Sequence, residues 1–304
     1  MQTFSFFLFY SVVWLFTLLP FRVLFFFSEL FYYFVFYIVG YRKKVVFENL
    51  KNSFPEKTEE EIQEIAKKFY KHFCDLVFET FKAIHLSPPA HLKRFEFVNP
   101  KMLDKYHKKG QSVIAVFGHY ANWEWMQAAP LVIPHQMVSV YKPQSNKSID
   151  KLSNKLRSRY GNIMVSMKET YRKLVEMDSK GIPVLSLFLS DQSPARTEIQ
   201  VYIPFLNHET PVIIGFEKIA KKLNHAVVYV DIMKVKRGFY KVEFIEISDN
   251  PALEPEMGLV QKFMAIMEEK IRRNPELWLW THRRWKHKRE DLEKKFNQKF
   301  KVYA

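Results

Sequence analysis

The first forty positions carry only two charged residues, Arg22 and Glu29. Met1 to Phe21 has none, and Phe4–Leu19 is almost wholly aliphatic or aromatic; about 20 such residues cross a bilayer as a helix. No Lys or Arg precedes this run and no small-residue cleavage site follows it, so it reads as a retained anchor rather than a cleaved signal. Pro20-Phe21-Arg22 reads as a turn or kink at the boundary. Val23–Val39 is a second apolar stretch, interrupted by Ser28 and Glu29. Its Phe and Tyr clusters suit a helix lying in the interface or packed on the domain, with a second span as the competing reading. Arg42-Lys43-Lys44 then gives a basic flank, and the positive-inside tendency puts the following chain in the cytoplasm.

From Phe47 onward the pattern turns to that of a soluble domain. Thr58 and Glu61 have capping-box spacing, and Glu59, Glu60 and Glu61 enrich a first turn with acid. Ile62, Ile65, Ala66, Phe69, Phe73, Val77, Phe78 and Phe81 then recur at helical intervals, which predicts one long amphipathic helix. Beyond Pro88-Pro89, strand and helix patterns alternate. The predicted strands are Phe95–Val98, Ser112–Phe117, Gln136–Val140, Pro183–Leu189, Ala226–Val235 and Tyr240–Ile247. The predicted helices are Pro100–Lys108, Trp123–Ala129, Ser148–Arg159, Glu169–Ser179, Pro211–Leu223 and Glu254–Arg273. Strands and helices alternating at these lengths predict an α/β fold with a mixed sheet flanked by helices. Lys286–Lys301 is basic with spaced apolar residues and reads as a surface helix or frayed tail. The expected organisation is an anchor and interfacial helix over 1–41, a domain over 42–285, and a basic tail over 286–304.

Composition sharpens the membrane reading. Phe occurs 29 times against 8 Gly, which is membrane-docking composition rather than that of an ordinary core. Lys and Arg exceed Asp and Glu by 47 − 32 = 15. Such a balance attracts nucleic acid, anionic membrane or phosphorylated lipid. The apolar segments beside it favour the membrane, and the aromatic platforms with Gly-rich loops that single-stranded nucleic acid would need are missing. Cys74 is the sole cysteine, so the chain has no intramolecular disulfide and no multi-cysteine metal site. Cys74 reads as a small packed residue. The histidines outside the central block show no zinc-ligand spacing, and no metal or cofactor is expected.

The candidate chemistry lies in Phe117-Gly118-His119-Tyr120-Ala121-Asn122-Trp123-Glu124-Trp125, straight after a buried-looking apolar run. Five-residue spacing does not place His119 and Glu124 on one helix face. It works if His119 sits in a strand-to-helix turn and Glu124 in the opening turns of the helix. Glu124 would then accept a hydrogen bond from one imidazole nitrogen and leave the other free to take a proton. Alone, the pair is better read as a structural histidine beside a first-turn acid favoured by the helix dipole.

The surrounding blocks resemble a known family. His119-Tyr120-Ala121-Asn122-Trp123-Glu124 looks like the HxxNWE form of the HX4D/E motif of bacterial late acyltransferases of lipid A biosynthesis, within the lysophospholipid acyltransferase superfamily. Val140-Tyr141-Lys142-Pro143 with Leu156-Arg157-Ser158-Arg159-Tyr160-Gly161 resembles its "YRP … R…G" segment. Asp191-Gln192-Ser193-Pro194 with Ile203-Pro204-Phe205-Leu206 resembles "DQ … PFFG". Asn274-Pro275-Glu276-Leu277-Trp278-Leu279-Trp280-Thr281-His282-Arg283-Arg284-Trp285 resembles the terminal "P-E-x-W-x-W-x-H-R-R" block. The four blocks come in family order and cover nearly the whole chain. Lys142 stands where arginine is usual and loses the bidentate fork; Leu206-Asn207 stands where Phe-Gly is usual. Phe54-Pro55-Glu56 only superficially matches a glycerol-phosphate acyltransferase motif, because it precedes the histidine block.

The resemblance implies a glycerol-phosphate-acyltransferase-like fold and an inner-membrane enzyme with its catalytic domain facing the cytoplasm. The reaction implied is direct transfer of a fatty acyl chain from a thioester, usually on acyl carrier protein, to a hydroxyl of a lipid A precursor or another membrane lipid. His119 would be the general base and Glu124 its partner, with no acyl-enzyme. Arg157 or Arg159 would face the developing oxyanion. Asn122, Lys142, Asp191 and Gln192 join the substrate-binding set, and Arg283 and Arg284 are candidates for lipid phosphates. For that last pair, nonspecific docking of a basic face beside Trp278, Trp280 and Trp285 is an equal reading.

Overall fold

A computed structural model describes residues 10–303. The part of the expected anchor before residue 10 lies outside the described residues. Residues 10–16 are helical, and Pro20 ends the following turn in extended conformation and caps the next helix, as its position in the sequence implies. That helix, α1 (Phe21–Tyr33), runs on as a π-helical stretch, Phe34–Val39, and stops at Gly40, whose φ of 61° suits glycine. Among the described residues, Phe21–Val39 is the one helix long and apolar enough to cross a membrane.

Its two faces differ. Leu24, Ser28 and Tyr32 are buried at four-residue spacing, against α3 (Glu59–Lys82), which follows α2 (Lys43–Ser53). The contact is partly polar: Ser28 Oγ donates to Asp75 Oδ1 at 2.7 Å, and Lys71 pairs with Glu29 at 2.9 Å. The other face leaves Phe26, Leu30, Phe34, Tyr37 and Ile38 exposed. The long helix α3 starts with the expected capping box, Thr58 and Glu61 bonding each other's backbone N–H groups. Cys74 is fully buried within it.

After α4 (Pro88–Arg94), strands and helices alternate. The elements are β1 (Phe95–Phe97), α5 (Asp104–Lys108), β2 (Val113–Phe117), β3 (Gln136–Tyr141), α6 (Lys147–Arg157), β4 (Ile163–Ser166), α7 (Thr170–Ser179), β5 (Val184–Leu189), β6 (Val201–Phe205), β7 (His208–Pro211), α8 (Gly215–Leu223), β8 (Ala226–Lys236), β9 (Phe239–Ser248), α9 (Gly258–Arg273), α10 (Arg289–Phe296) and β10 (Lys301–Val302). The main sheet has the order β1-β9-β8-β2-β5-β3-β4. Only β8 and β9 pair antiparallel within it, so the sheet is mixed, and helices flank it. All five residues of β2 are buried, as a strand covered on both faces requires.

A second sheet, β10-β6-β7, was not foreseen in the sequence. The β6–β7 hairpin turns on Leu206 and Asn207, both at positive φ (49° and 63°); a two-residue hairpin turn of this kind needs that conformation twice. The basic tail contains the expected helix, yet it is not frayed. Leu292 and Phe300 bury against Ile199 and Tyr202, and β10 pairs with β6.

Candidate active site

Parallel pairing of β2 and β5 builds the centre. Phe117 is in register with Leu189, and Ser190 N–H donates to the Phe117 carbonyl at 3.1 Å. Gly118-His119 and Asp191 therefore leave the carboxyl edge of the sheet side by side, where sites of α/β sheets lie. Gly118 permits the approach: a Cβ there would sit 2.4 Å from Met267 Cε and 3.1 Å from Asp191 Cγ. Asp191 Oδ1 lies 2.7 Å from His119 Nδ1. Its Oδ2 accepts from the His119 backbone N–H at 2.9 Å and from Trp278 Nε1 at 2.8 Å. Asp191 is 1% exposed. Burial by itself would raise its carboxyl; the His119 imidazole and these N–H donors outweigh it and bring the pKa down to about 2. An ionised Asp191 fixes the proton on His119 Nδ1 and leaves the Nε2 lone pair outward. Gln192 Nε2 stands 3.2 Å from that Nε2.

This corrects the expected partnership. Glu124 does not hold the imidazole: Arg157 takes its carboxylate as a fork, Nε to Oε2 at 3.0 Å and Nη2 to Oε1 at 2.6 Å. Burial would raise the Glu124 carboxyl too, but Arg157 and then His119 hold it below its ordinary value. Trp123, between the two blocks, packs edge-on to the His119 ring with centroids 5.1 Å apart.

The Glu124–Arg157 pair belongs to a groove over β2, β5, β3 and β4. Phe117, Met126, Val140, Met164, Leu187 and Leu189 give it apolar walls, and its empty space, counted to the open mouth, is ≈ 420 Å³. Tyr141 also lines it, and Lys142 follows as an exposed residue in the next loop.

Two other expected site residues are structural. Asn122 is wholly buried, donates to Glu79 Oε2 at 2.7 Å and caps the 3-10 segment Trp123–Leu131 by accepting from Trp125 N–H. It cannot touch substrate there. Arg159 donates to the Ala83 carbonyl just past the end of α3 and does not line the groove.

The terminal block laces the site together. Ala121 N–H donates to the Leu277 carbonyl and Leu279 N–H to the His119 carbonyl, at 2.9 and 3.1 Å. Helix α2 clamps that block in turn, with Asn49 Nδ2 donating to the Trp280 and His282 carbonyls, both at 2.9 Å. Trp278 was read only as part of a docking face; its bond to Asp191 has no signal in spacing or periodicity. His282 is held neutral, its pKa pushed down to about 4 by burial and Arg284, and its Nε2 accepts from Ser193 N–H.

Arg283 is exposed, but Arg284 is not available to lipid phosphate as expected. It is 1% exposed, and none of its guanidinium nitrogens finds a protein partner. Burial lowers its pKa to about 10, against the opposing pull of Asp191. A buried cation beside a buried anion offsets part of the desolvation cost of both.

Comparison with known proteins fits this arrangement. The profile of a family described as bacterial lipid A biosynthesis acyltransferase matches residues 1–287. A lipid A biosynthesis acyltransferase of Haemophilus influenzae is 25% identical over 212 residues, 67% of this chain and 64% of that protein, a little under two thirds of its length. A lipid A biosynthesis palmitoleoyltransferase of Escherichia coli is 22% identical over 277 residues, 91% of this chain and 89% of the relative. The lipid A biosynthesis lauroyltransferase of the same organism is 22% identical over 258 residues, 84% and 82% of the two chains.

Proposed function

Because this chain belongs to the bacterial lipid A biosynthesis acyltransferase family, we propose that it moves a fatty acyl chain from an acyl thioester, carried by acyl carrier protein, to a hydroxyl of a lipid A precursor. The observation that carries the mechanism is His119 hydrogen-bonded to a buried, ionised Asp191, the two standing two residues past Phe117 and Leu189 in the wall of an apolar groove.

The chemistry runs in one line. His119 Nε2 takes the proton of the acceptor hydroxyl as its oxygen attacks the thioester carbonyl. Gln192, whose amide stands at Nε2, moves aside as the hydroxyl arrives. Asp191 stabilises the imidazolium that forms, the role of the buried acid in hydrolase triads. The tetrahedral intermediate carries an oxyanion, and Arg157, aimed by its fork to Glu124, is the cation nearest the groove to meet it. Collapse expels the thiolate, which takes the proton from His119; an ester and a free thiol result. Glu124 thus acts by holding Arg157. The acyl chain lies among Val140, Leu187 and Leu189, a glycerol-phosphate-acyltransferase-like use of the sheet edge.

The exposed apolar face of α1 supports an enzyme working at a membrane, and the basic flank Arg42-Lys43-Lys44 supports the inner membrane with the catalytic domain on its cytoplasmic side. The division is a docking part over 1–41, the acyltransferase domain over 42–285 and the tail over 286–304 docked on β6. The test is turnover of acyl carrier protein thioester and lipid A precursor by purified protein in vesicles. His119→Ala is expected to abolish transfer and to leave vesicle binding intact; ordinary turnover in that variant sinks the mechanism.

A further inference from the structure

A second cleft opens on the opposite side of the His119 loop. The sheet order sets β5 and β8 on either side of β2. The apolar groove covers the β5 side, and the second cleft covers the end of β8 that overhangs the sheet beyond its last pairing with β2, at Tyr229. Its empty space, counted to the open mouth, is ≈ 810 Å³, and Tyr120, the residue after His119, forms part of its wall.

The lining is cationic. Lys234, Lys236, Lys270 and Arg273 face it, against Asp231 and Glu276. Two of the cations are neutralised: Lys270 Nζ sits 2.5 Å from Asp231 Oδ2, and Arg273 pairs with Glu269 at 2.5 Å. Lys234 and Lys236 form no ion pair among the described residues, though Lys234 acts through space on the buried carboxylate of Glu79. Lys234 Nζ stands 3.2 Å from His72 Nδ1, and Lys236 lies 4.6 Å from the centroid of the Phe239 ring. His72 is buried and held neutral by that burial and by Lys234, so its Nδ1 accepts one ammonium N–H. The second oxygen of Asp231, Oδ1, is buried without a partner. The cleft therefore offers two ammonium groups outside any ion pair, with Glu276 as the other carboxylate of the lining, in a recess that starts one residue from the base.

We infer that this cleft binds a phosphate monoester of the acceptor lipid, with Lys234 and Lys236 as its cations. The inference rests on the acyl-transfer reading above. It adds that the acceptor headgroup approaches His119 from the β8 side while the acyl chain enters from the β5 side. Ammonium groups act on phosphate as point charges with rotatable donors, which suits a headgroup that has to shift as its hydroxyl meets the base. The phosphodiester of a carrier's prosthetic group is the other source of the same chemistry, and the experiment separates the two.

The experiment uses the full chain in nanodiscs, a phosphorylated lipid A precursor, and the same lipid after phosphatase treatment. Equilibrium binding of each lipid is measured for the wild type, Lys234→Gln, Lys236→Gln and the double variant, along with KM for acceptor and for acyl carrier protein thioester. The double variant is expected to bind the phosphorylated lipid at least ~tenfold more weakly and the dephosphorylated lipid as the wild type does. Its acceptor KM rises while its donor KM does not, and Lys236→Arg in place of Lys236→Gln restores binding. Equal loss for both lipids marks a structural role and overturns the inference; so does unchanged binding, or a rise in donor KM alone. If phosphate-dependent binding survives but the wild type transfers no acyl chain to either lipid, the cleft stands and the acyl-transfer reading falls.

Discussion

Asp191 is the residue on which the site turns, because it accepts three N–H groups on two oxygens in a buried position. Asp191→Asn keeps the shape and presents an amide to His119 Nδ1, which frees the wrong tautomer. The expected result is a fall in kcat of roughly 10³–10⁴-fold with little change in KM, read from acyl transfer at saturating substrates. The same residue gives an acid dependence. Its carboxyl is depressed in the fold, from 3.8 to about 2, so its contribution is present above 3.8 and is lost as pH falls through 2. That contribution is about 2 kcal/mol, and urea unfolding of Asp191→Asn should flatten between these pH values; a curve parallel to wild type would refute it. At Glu124 the expected phenotype differs: Glu124→Gln loses the ion pair that aims Arg157, and Arg157→Lys, which keeps charge without the fork, shares the defect. His119 was singled out in the sequence by its motif, and the structure sets it at the end of β2. Asp191 as its partner was not, since 72 residues separate the two and only the pairing of β2 with β5 joins them. Arg284 misled for a related reason: paired arginines near a chain end read as surface, and only packing buries one and leaves the other exposed.

Among the elements, those with a clear period were read well. The runs that became β2, β5, β8 and β9 are apolar enough to declare themselves, and the long helix announced its start through Thr58 and Glu61. Those missed lack such signals. β4 has four residues; β6 carries Pro204 in its middle, a residue that argues against a strand unless it lies at an edge or bulge. Its turn uses Leu206-Asn207 where a glycine would have advertised a hairpin. The groove between β3, β4 and the 3-10 segment gives a prediction at this scale. Ser139 is a small residue in its lining, and Ser139→Phe fills the space an acyl chain would take. Competition among acyl thioesters should shift toward shorter chains with turnover of the shortest retained; an unchanged preference would place the chain elsewhere.

For the molecule as a whole, charge and apolar surface act together. A net charge of +15 accompanies the exposed Phe26, Leu30, Phe34 and Ile38 on one side of α1. Its inner side is held by Ser28 and Glu29 to Asp75 and Lys71, which favours an in-plane arrangement over a crossing of the bilayer. Phe26→Ser with Ile38→Ser should weaken flotation with anionic vesicles and leave far-UV circular dichroism unchanged. Raising salt should weaken it further, since the basic component is screened; flotation equal to wild type would remove α1 from the membrane contact. The backbone bonds between the His119 loop and Leu277–Leu279, clamped by Asn49, also bear on how the protein is made. During synthesis the histidine emerges long before the tryptophan that secures its acid. Under the proposed mechanism, a nascent chain would lack the bond that secures Asp191 until the segment bearing Trp278 has left the ribosome and closed over the strand ends.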